Sequence, residues 1–481
     1  MRIIQRTKRN RKKDKNSGRL GFWLLFLIFS LSLLFSLRTE ASFQLPLPEK
    51  IRLANGLTVF YLQNTELPLV SFRLLIAGAG HAFEPAELDG LANFTADMLL
   101  KGAGKMSAEE IAEAIDFMGA SLDFSASEEY VLASGECLSE HFSRLLEITS
   151  SCLISPWFPE EEFRKEQARR TDLVKAIKDN PGQAVRLYFQ KAYFGSHPLG
   201  HVSVGTEISL AKIKLEDIRS FYKQRYRPDQ VLMAVVGDLK KEKLLECLEA
   251  TLGQWKAPKA AVTETLPPLP RPSGRKIVLV DKPDATQAYF VLGSPGIKMG
   301  EEIAPAANVM NTLWGGRFTS WLNTELRIKR GLTYGASSSL QSWKQGGLFR
   351  ASSYTKNNQL EEMLAITLDL LKKGRRDGFS AEEVESARNY ILGQFPPTLE
   401  TNASKALAYL RLAFCGLGFD YYDRYLARIE KITPREVNEA ALRLLPEENF
   451  VLVVVGRAEE VRPALRKFGP FVEKKITDPG F

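Results

Sequence analysis

The chain has 481 residues, which is too long for one hydrophobic core and predicts two to four domains. It is 44% hydrophobic and 25% charged, as globular proteins are. The net charge of +8 lies entirely in residues 1–41, which hold ten basic and two acidic residues and leave 55 of each in the remainder. A neutral body has no cationic surface for a phosphate backbone, so the charge balance excludes a nucleic-acid partner.

Residues 1–41 predict a signal peptide or an N-terminal membrane anchor. A basic stretch precedes the uncharged run GFWLLFLIFSLSLLFSL over 21–37, and both kinds of leader have this order. Thr39 and Ala41 offer small residues at positions −3 and −1 of a cleavage site. The sequence fits both a leader that is cleaved as a signal peptide and one that is retained as a membrane anchor. In either case the positive-inside rule predicts a periplasmic or otherwise extracytoplasmic body, anchored to the inner membrane if the leader is retained.

A first domain is predicted over residues 45–258. IRLANGLTVFYLQN predicts a hairpin, and VSFRLLIAGAG a buried strand. Ser107 and Glu110 predict a capping box for a helix that ends at Gly119, SLDFSAS alternates as a strand does, and Pro159 opens a long helix. The mixed order lacks regular βαβ alternation. It therefore favours an α+β fold, with a sheet and helices packed on one face.

A proline-rich linker divides the body into two parts. Residues 256–275 contain five prolines, which exclude a helix or a central strand, and we place the linker at 259–272 and a second domain at 273–475. Segment 212–239 aligns without gaps with segment 431–458, at a constant shift of 219 residues. Each copy predicts a helix, a polar turn and a strand ending in Val-Val-Gly. The pattern predicts two homologous domains.

The cysteines and histidines do not have the spacing of a metal site. The four cysteines lack any CxxC pair and are interpreted as small buried apolar residues, although a Cys137–Cys152 disulfide stays open. His197 and His201 are four residues apart, but HPLGH contains Pro and Gly, which predicts a loop rather than a helical metal site. His81 is isolated in the sequence and is interpreted as structural or exposed.

The segment GLANFTADMLLKG, residues 90–102, predicts a helix with an unusual polar face. Asn93, Ala96 and Asp97 share that face at positions i, i+3 and i+4. Three such positions could hold a metal ion. An amide, a methyl group and a single carboxylate are nevertheless too few ligands for zinc.

Taken in order, several stretches resemble the pitrilysin-type zinc peptidases (inverzincins), especially the bacterial and mitochondrial-processing-peptidase branch. The resemblance covers nearly all of residues 49–475. It includes EPAELDGLANFTADMLLKG, SAEEIAEAIDFMGASLDFSAS, PWFPEEEF, HPLGHVSVGTE, FYKQRYRPDQVLMAVVGDL, WGGRFTSWLNTELRIKRGLTYGASS and NYILGQFPPTLET. It implies two homologous α+β domains, each a mostly antiparallel sheet, that form a clam-like cavity.

The resemblance also implies that the metal site is degenerate. Active members carry His-x-x-Glu-His on this helix, where two His bind zinc and the Glu activates water. Here Asn93 stands for the first His, Ala96 for the Glu and Asp97 for the second His. The third ligand position, a Glu on a later helix, aligns with Arg164. Ala96 cannot act as a base and an arginine would repel zinc, so we expect no metal or other cofactor in this chain.

The second half retains an Arg/Tyr pair in LRIKRGLTYG. The pattern predicts Arg327 in the last turn of a helix capped by Gly331, and Tyr334 on the following strand. Spacing alone also fits an arginine that merely stabilises the helix C-terminus and a tyrosine packed in the core. The resemblance favours a functional pair that contacts the substrate carbonyl and stabilises the oxyanion.

The resemblance thus implies a non-catalytic subunit of a heteromeric zinc metallopeptidase, inactive alone. A homologous partner would supply His-x-x-Glu-His and the zinc, and this chain would supply Arg327 and Tyr334 in trans. The substrate would be a peptide or an unfolded polypeptide. The alternatives are a structural or scaffold homologue, and a homologue that binds peptides at a sheet edge without any peptidase role.

Overall fold

The computed structural model describes residues 44–256 and 265–481. The predicted leader, residues 1–41, and part of the linker lie outside these ranges. The described part of the linker, 265–272, contains neither helix nor strand. Residues 45–481 form one compact unit. In neither described range is a helix both long and apolar enough to cross a membrane.

The first half of this unit contains a six-stranded sheet. Its strands are β1 (Glu49–Arg52), β2 (Thr58–Gln63), β3 (Leu69–Ala77), β4 (Ser121–Ala126), β5 (Tyr130–Leu138) and β6 (Val231–Gly237). They lie in the order β1-β2-β6-β3-β5-β4, and only the β2–β6 pair is parallel. The predicted hairpin is β1–β2, with Arg52 opposite Thr58. The predicted strands are confirmed.

Eight α-helices accompany the described part of this sheet. They are α1 (Leu91–Met98), α2 (Ala108–Phe117), α3 (Phe142–Ile154), α4 (Glu160–Asp179), α5 (Pro181–Phe194), α6 (Glu207–Lys212), α7 (Leu215–Arg225) and α8 (Lys241–Ala250). The predicted capping box of Ser107 and Glu110 begins α2, and Gly119 follows its end with a φ of +57°. Pro159 is the N-cap residue of α4. These local signals are confirmed, and the capping box satisfies backbone N–H groups that the start of a helix leaves unpaired.

The second half contains a second six-stranded sheet. Its strands are β7 (Arg275–Asp281), β8 (Gln287–Pro295), β9 (Ala336–Ser342), β10 (Gly347–Lys356), β11 (Phe450–Gly456) and β12 (Phe471–Lys475). The order is β12-β7-β11-β8-β10-β9, with β12–β7 and β7–β11 parallel and the other pairs antiparallel. Its α-helices are α9 (Ala304–Asn311), α10 (Trp321–Asn323), α11 (Leu360–Arg376), α12 (Ala381–Gln394), α13 (Asn402–Phe414), α14 (Tyr421–Glu430), α15 (Pro434–Leu444) and α16 (Ala458–Arg466). Two π-helical segments, Thr312–Gly316 and Thr324–Lys329, continue α9 and α10.

The predicted repeat is present in the structure. Helix α7 followed by β6 corresponds to helix α15 followed by β11, and all four element boundaries differ by 219 residues. The prediction of a helix and then a strand in both segments is therefore confirmed. The α+β class with two mostly antiparallel sheets is confirmed as well.

The two halves also exchange one helix each. Helix α5 packs against β8 and β11 of the second sheet, and α13 packs against β3 and β6 of the first. Along β11, Val451 and Val453 join the first-half core, whereas Leu452 and Val454 face the second half's own helices. The exchange brings α5 to one face of the second sheet, where it forms a wall of the cavity described below.

Candidate functional site

Helix α1 begins at a buried carboxylate. The N–H of Gly90, the N-cap residue with a φ of +93°, donates to Glu84 Oε2 at 3.0 Å. The N–H of Ala92 donates to Glu84 Oε1 at 2.6 Å. Burial raises the pKa of Glu84 to about 7, although the N–H groups and the positive end of the helix dipole at the helix N-terminus act to lower it. Glu84 therefore fixes the start of the helix that carries the degenerate motif.

Glu84 belongs to a buried charge network that the sequence did not predict. His201 Nδ1 lies 2.8 Å from Asp89 Oδ1 and 3.5 Å from Glu84 Oε2, and Lys191 Nζ lies 2.5 Å from Asp89 Oδ2. Burial acts to lower the pKa of His201, but the hydrogen bonds and charges of the two carboxylates outweigh it and raise that pKa to about 9. The neighbouring His81 is buried, which fits the structural alternative, and burial lowers its pKa to about 4.

This network has some ligand types of a metal site, but its contacts fit a helix anchor better. The candidate ligand atoms of Glu84, Asp89 and His201 all lie within 4.8 Å of one another. Both oxygens of Glu84 already accept backbone N–H groups, and Asp89 accepts from Lys191 and His201. The nearby ammonium and helix N-terminus disfavour a further cation. The predicted loop at HPLGH is confirmed as a short 3₁₀ turn, Pro198–Gly200.

The three positions of the degenerate motif make structural contacts. The Asn93 side-chain oxygen accepts the Ala126 N–H at 3.2 Å and so fixes the end of edge strand β4. Ala96 is fully buried in the core. Asp97 Oδ2 lies 2.5 Å from Arg170 Nη2 and 3.2 Å from Arg169 Nη2, both on helix α4.

Asp97 is part of an ion-pair cluster formed with Glu166, Arg169 and Arg170, which we call the α1–α4 cluster. Glu166 Oε1 lies 2.5 Å from Arg169 Nη2 and 3.0 Å from Arg170 Nε. Arg170 is only 2% exposed, and its guanidinium lies 4.9 Å from the ring centre of Phe94. Two carboxylates and two guanidiniums make the cluster neutral, and buried pairs need this mutual compensation.

Arg164 does not belong to this cluster, which corrects the sequence prediction. Its side chain is 75% exposed and pairs with Glu160 one turn earlier, at 3.1 Å. Along α4 it lies roughly 8 Å from Arg169, because a helix rises about 1.5 Å per residue. The residues that the fold brings to Asp97 are Arg169 and Arg170. The Glu166–Arg170 spacing of i, i+4 is visible in the sequence, but it is shared by exposed pairs such as Glu160–Arg164.

The α1–α4 cluster does not fit a zinc ion. Burial raises the pKa of Asp97, and the nearby Glu166 carboxylate adds to this effect against the opposing charge of Arg170. Burial alone would raise the pKa of Glu166, but the hydrogen bond from Arg169 and the charge of Arg170 outweigh it and lower that pKa. Zinc needs a set of neutral or anionic ligands, whereas two guanidiniums lie against the carboxylate. No reaction step through a metal is therefore derived for this chain.

The second half places Arg327 at a cavity. Arg327 lies in the π-helical segment Thr324–Lys329, and the Gly331 N–H donates to its carbonyl at 3.1 Å. Gly331 has a φ of +64°, which favours glycine and ends the helix as the sequence predicted. The Arg327 guanidinium lies 4.8 Å from the ring centre of Phe318. Arg327 also lines a cavity of about 590 Å³ between α5 and the second sheet.

Tyr334 is in a loop and not on the predicted strand, because β9 begins at Ala336. The Thr333 hydroxyl accepts the Gly335 N–H at 3.1 Å, which holds the chain in a turn before the strand starts. The Tyr334 side chain is 80% exposed and makes no hydrogen bond or ring contact within the described ranges. Its hydroxyl is therefore free to bind another molecule, and the interpretation as a core tyrosine does not apply.

Comparison with known proteins gives concordant matches in both halves. Residues 58–207 match the family model described as Insulinase (Peptidase family M16), and residues 212–391 match that of the Peptidase M16 inactive domain. The chain is 28% identical over 351 residues to the "Uncharacterized zinc protease YmxG" of Bacillus subtilis, covering 73% of this chain and 84% of that protein. It is 25% identical over 385 residues to the "Non-peptidase homolog YmxG" of Helicobacter pylori, covering 79% and 87%.

Solved structures show the same fold. A peptidase M16 inactive domain from Pseudomonas fluorescens superposes with a TM-score of 0.79 at 23% identity, covering 89% of this chain and 99% of that one. A protease from Helicobacter pylori superposes with a TM-score of 0.78 at 19% identity, covering 85% and 100%. At these identities the likeness establishes the architecture alone.

Proposed function

Because this chain belongs to peptidase family M16, we propose that it is the non-catalytic subunit of a heteromeric zinc peptidase. One contrast carries the proposal. Asp97, at a ligand position of the family motif, is neutralised by Arg169 and Arg170, whereas Arg327 and Tyr334 have no charged or hydrogen-bonding partner within the described residues. Such a chain cannot supply the zinc site, but its Arg327 and Tyr334 side chains can still donate hydrogen bonds at the site of another chain.

In this proposal the partner is a homologous chain that carries His-x-x-Glu-His and the zinc. The Arg327 guanidinium and the Tyr334 hydroxyl donate hydrogen bonds to the carbonyl oxygen of a peptide as negative charge develops on it. The exposure of Tyr334 supports this role, since a hydroxyl without an internal partner can reach a second chain or its substrate. The substrate class is a peptide or an unfolded polypeptide that enters the space between the subunits.

The second candidate function is peptide binding or scaffolding without hydrolysis. It is supported by the edge strands of the two described sheets, β1 and β4 in the first and β9 and β12 in the second. An extended peptide can add to such an edge through backbone hydrogen bonds. This candidate requires no zinc-binding partner and gives no role to Tyr334.

We further propose an extracytoplasmic location, on the sequence of residues 1–41 alone. The positive-inside rule is its physical basis. Fractionation of the native cells tests it, and the mature body should be found in the periplasm or on the outer face of the inner membrane. Recovery of the uncleaved chain in the soluble cytoplasmic fraction would contradict it.

Affinity purification from the native source tests the proposed partnership. The tagged chain should co-purify with a homologue that contains His-x-x-Glu-His. The pair, but neither chain alone, should hydrolyse an internally quenched unfolded polypeptide, and a zinc chelator should stop the reaction. A purification that yields no such homologue, or a homologue fully active by itself, would favour the scaffold function.

A further inference from the structure

The cavity beside Arg327 contains arginines without acidic partners. Arg186 from α5, Arg317 and Arg327 line it, and the charge of Arg186 acts on the neighbouring Arg350 of β10. Throughout the described ranges, none of these four residues has a carboxylate within ion-pair distance. We call them the arginine group. Such a group is unusual in a chain whose other guanidiniums are commonly paired.

Strand β10 directs Arg350 towards the first half. Side chains alternate along a strand, so Leu348 and Arg350 share one face while Phe349 and Ala351 share the other. Leu348 packs in the core formed with the first half, whereas Phe349 and Ala351 pack against the second half's own helices. Arg350 is therefore on the same side of the sheet as α5 and Arg186. Burial, together with the like charge of Arg186, lowers the pKa of Arg350.

Neutral groups hold the other two arginines in place. Arg317 Nη1 donates to Ser386 Oγ at 3.1 Å, and its guanidinium lies 5.9 Å from the ring centre of Tyr390. Arg317 Nε is buried without a hydrogen-bond partner. Arg327 lies against the Phe318 ring. Hydroxyls and rings orient a guanidinium but leave its charge intact, so each side chain is positioned to bind an anion.

Two carboxylates, Glu128 and Glu383, act electrostatically on this group without lying within ion-pair distance of it. Glu128, which acts electrostatically on Arg350, accepts hydrogen bonds from Ser127 at 2.8 Å and Gln341 at 2.9 Å. Glu383, which acts on Arg317, accepts from the Trp321 ring N–H at 2.6 Å and from Ser380. Among the described residues no Asp or Glu lines the cavity, so it keeps a local excess of positive charge, although the body as a whole is neutral.

We propose that this cavity binds an acidic segment of a polypeptide. Carboxylates match the planar donors of arginine, and the rings of Tyr289, Tyr354 and Tyr390, which also line the cavity, can pack on the apolar stems and backbone of a peptide. The volume of about 590 Å³ lies within the range of ligand pockets. That the ligand is a polypeptide rests on the proposed function, and its acidic character rests on the arginine group.

Fluorescence anisotropy with the full chain tests the inference. The probe is a labelled ten-residue peptide that contains four Glu, and the matched peptide has Gln at those positions. The Glu peptide should bind at least about tenfold more tightly, and added salt should reduce the difference because it screens exposed charges. Arg186→Gln, which changes an exposed side chain, should weaken the Glu peptide about tenfold and leave the Gln peptide unchanged. Arg435→Gln, a control at an exposed position of helix α15, should change neither.

A charge-reversal variant distinguishes the loss of a binding site from damage to the fold. Arg186→Glu should shift the preference of the cavity towards the same peptide with Lys at the four positions, a gain that misfolding cannot produce. Equal affinity for the Glu and Gln peptides, or an unchanged preference in both Arg186 variants, would overturn the inference. The assay needs no partner chain, so its failure is distinguishable from failure to isolate a zinc-binding subunit.

Discussion

The α1–α4 cluster and the arginine group use the same side chain in opposite ways. In the first, Arg169 and Arg170 are held by Asp97 and Glu166 at distances of 2.5–3.2 Å, and Arg170 is almost fully buried. In the second, Arg317 and Arg327 contact rings and a hydroxyl and keep their charge. Arginine thus joins two helices in the α1–α4 cluster, whereas the arginine group presents it at a cavity. We therefore expect anions to bind at the arginine group, where no carboxylate from the described part of the chain pairs with the positive charges.

The largest expected effect is the loss of Arg170. Arg170→Ala should lower the free energy of unfolding by about 3–5 kcal/mol, because it leaves the buried Glu166 carboxylate and Asp97 without their central cation. Urea denaturation monitored by circular dichroism measures it. The matched control is Arg164→Ala on the same helix, an exposed residue whose pair with Glu160 should contribute no more than about 0.5 kcal/mol. Equal losses of unfolding free energy in Arg170→Ala and Arg164→Ala would contradict the claim that the α1–α4 cluster holds its arginine by buried, compensated ion pairs.

A smaller effect is expected from His201, and it should depend on pH. The folded state raises the pKa of His201 to about 9 from an ordinary value near 6.5. A raised histidine pKa contributes stability that is complete below pH 6.5 and is lost as the pH rises through 9. The free energy of unfolding of the wild-type chain should therefore exceed that of His201→Gln by on the order of 2 kcal/mol at pH 6. At pH 9.5 the difference in unfolding free energy should be much smaller.

Thermal melts of both chains across that range measure the His201 effect. The difference reports His201 together with its effect on Glu84, whose pKa burial raises to about 7 and which the hydrogen bond and charge of His201 act to lower. A constant difference from pH 6 to 9.5 would show that His201 packs in the neutral form. His201 would then not be a second buried cation, beside Arg170, whose charge is compensated by carboxylates.

The smallest measured quantity is expected to be the zinc content of the purified chain. The purified chain should retain no stoichiometric zinc after dialysis, because Asp97 is engaged by two arginines and Asn93 by the Ala126 N–H. Elemental analysis measures this, with the His-x-x-Glu-His partner as the positive control. One tightly held zinc per chain that disappears in Asp97→Ala would contradict the account of the α1–α4 cluster.

The sequence predicted the local structure well because local signals govern it. The capping box at Ser107 and the 219-residue shift between the two helix–strand copies need only neighbouring residues or an internal alignment. The exchange of α5 and α13 could not be predicted in this way. Both helices are amphipathic, and nothing in a helical period states which of two similar sheets a helix will cover.

The candidate site was predicted only in part, for a similar reason. The positions of Asn93, Ala96, Asp97 and Arg327 follow from motifs, but the arginine that reaches Asp97 depends on how α4 lies against α1. Arg164 and Arg170 each have a Glu four residues earlier, so their spacing is equivalent and only tertiary packing buries one of them. The Glu84 network joins residues more than a hundred positions apart in the sequence, which no single motif contains.

The most direct test of the central claim is kcat/KM of the reconstituted pair with wild-type, Tyr334→Phe and Arg327→Ala chains. Tyr334→Phe removes one exposed hydroxyl, so the thermal melt and partner binding should be unchanged while kcat falls about 10²–10³-fold. Arg327→Ala should lower kcat at least as much, and Arg327→Lys should not restore it fully because the planar fork is lost. Unchanged kinetics in a folded Tyr334→Phe complex would contradict the claim that this chain completes its partner's active site.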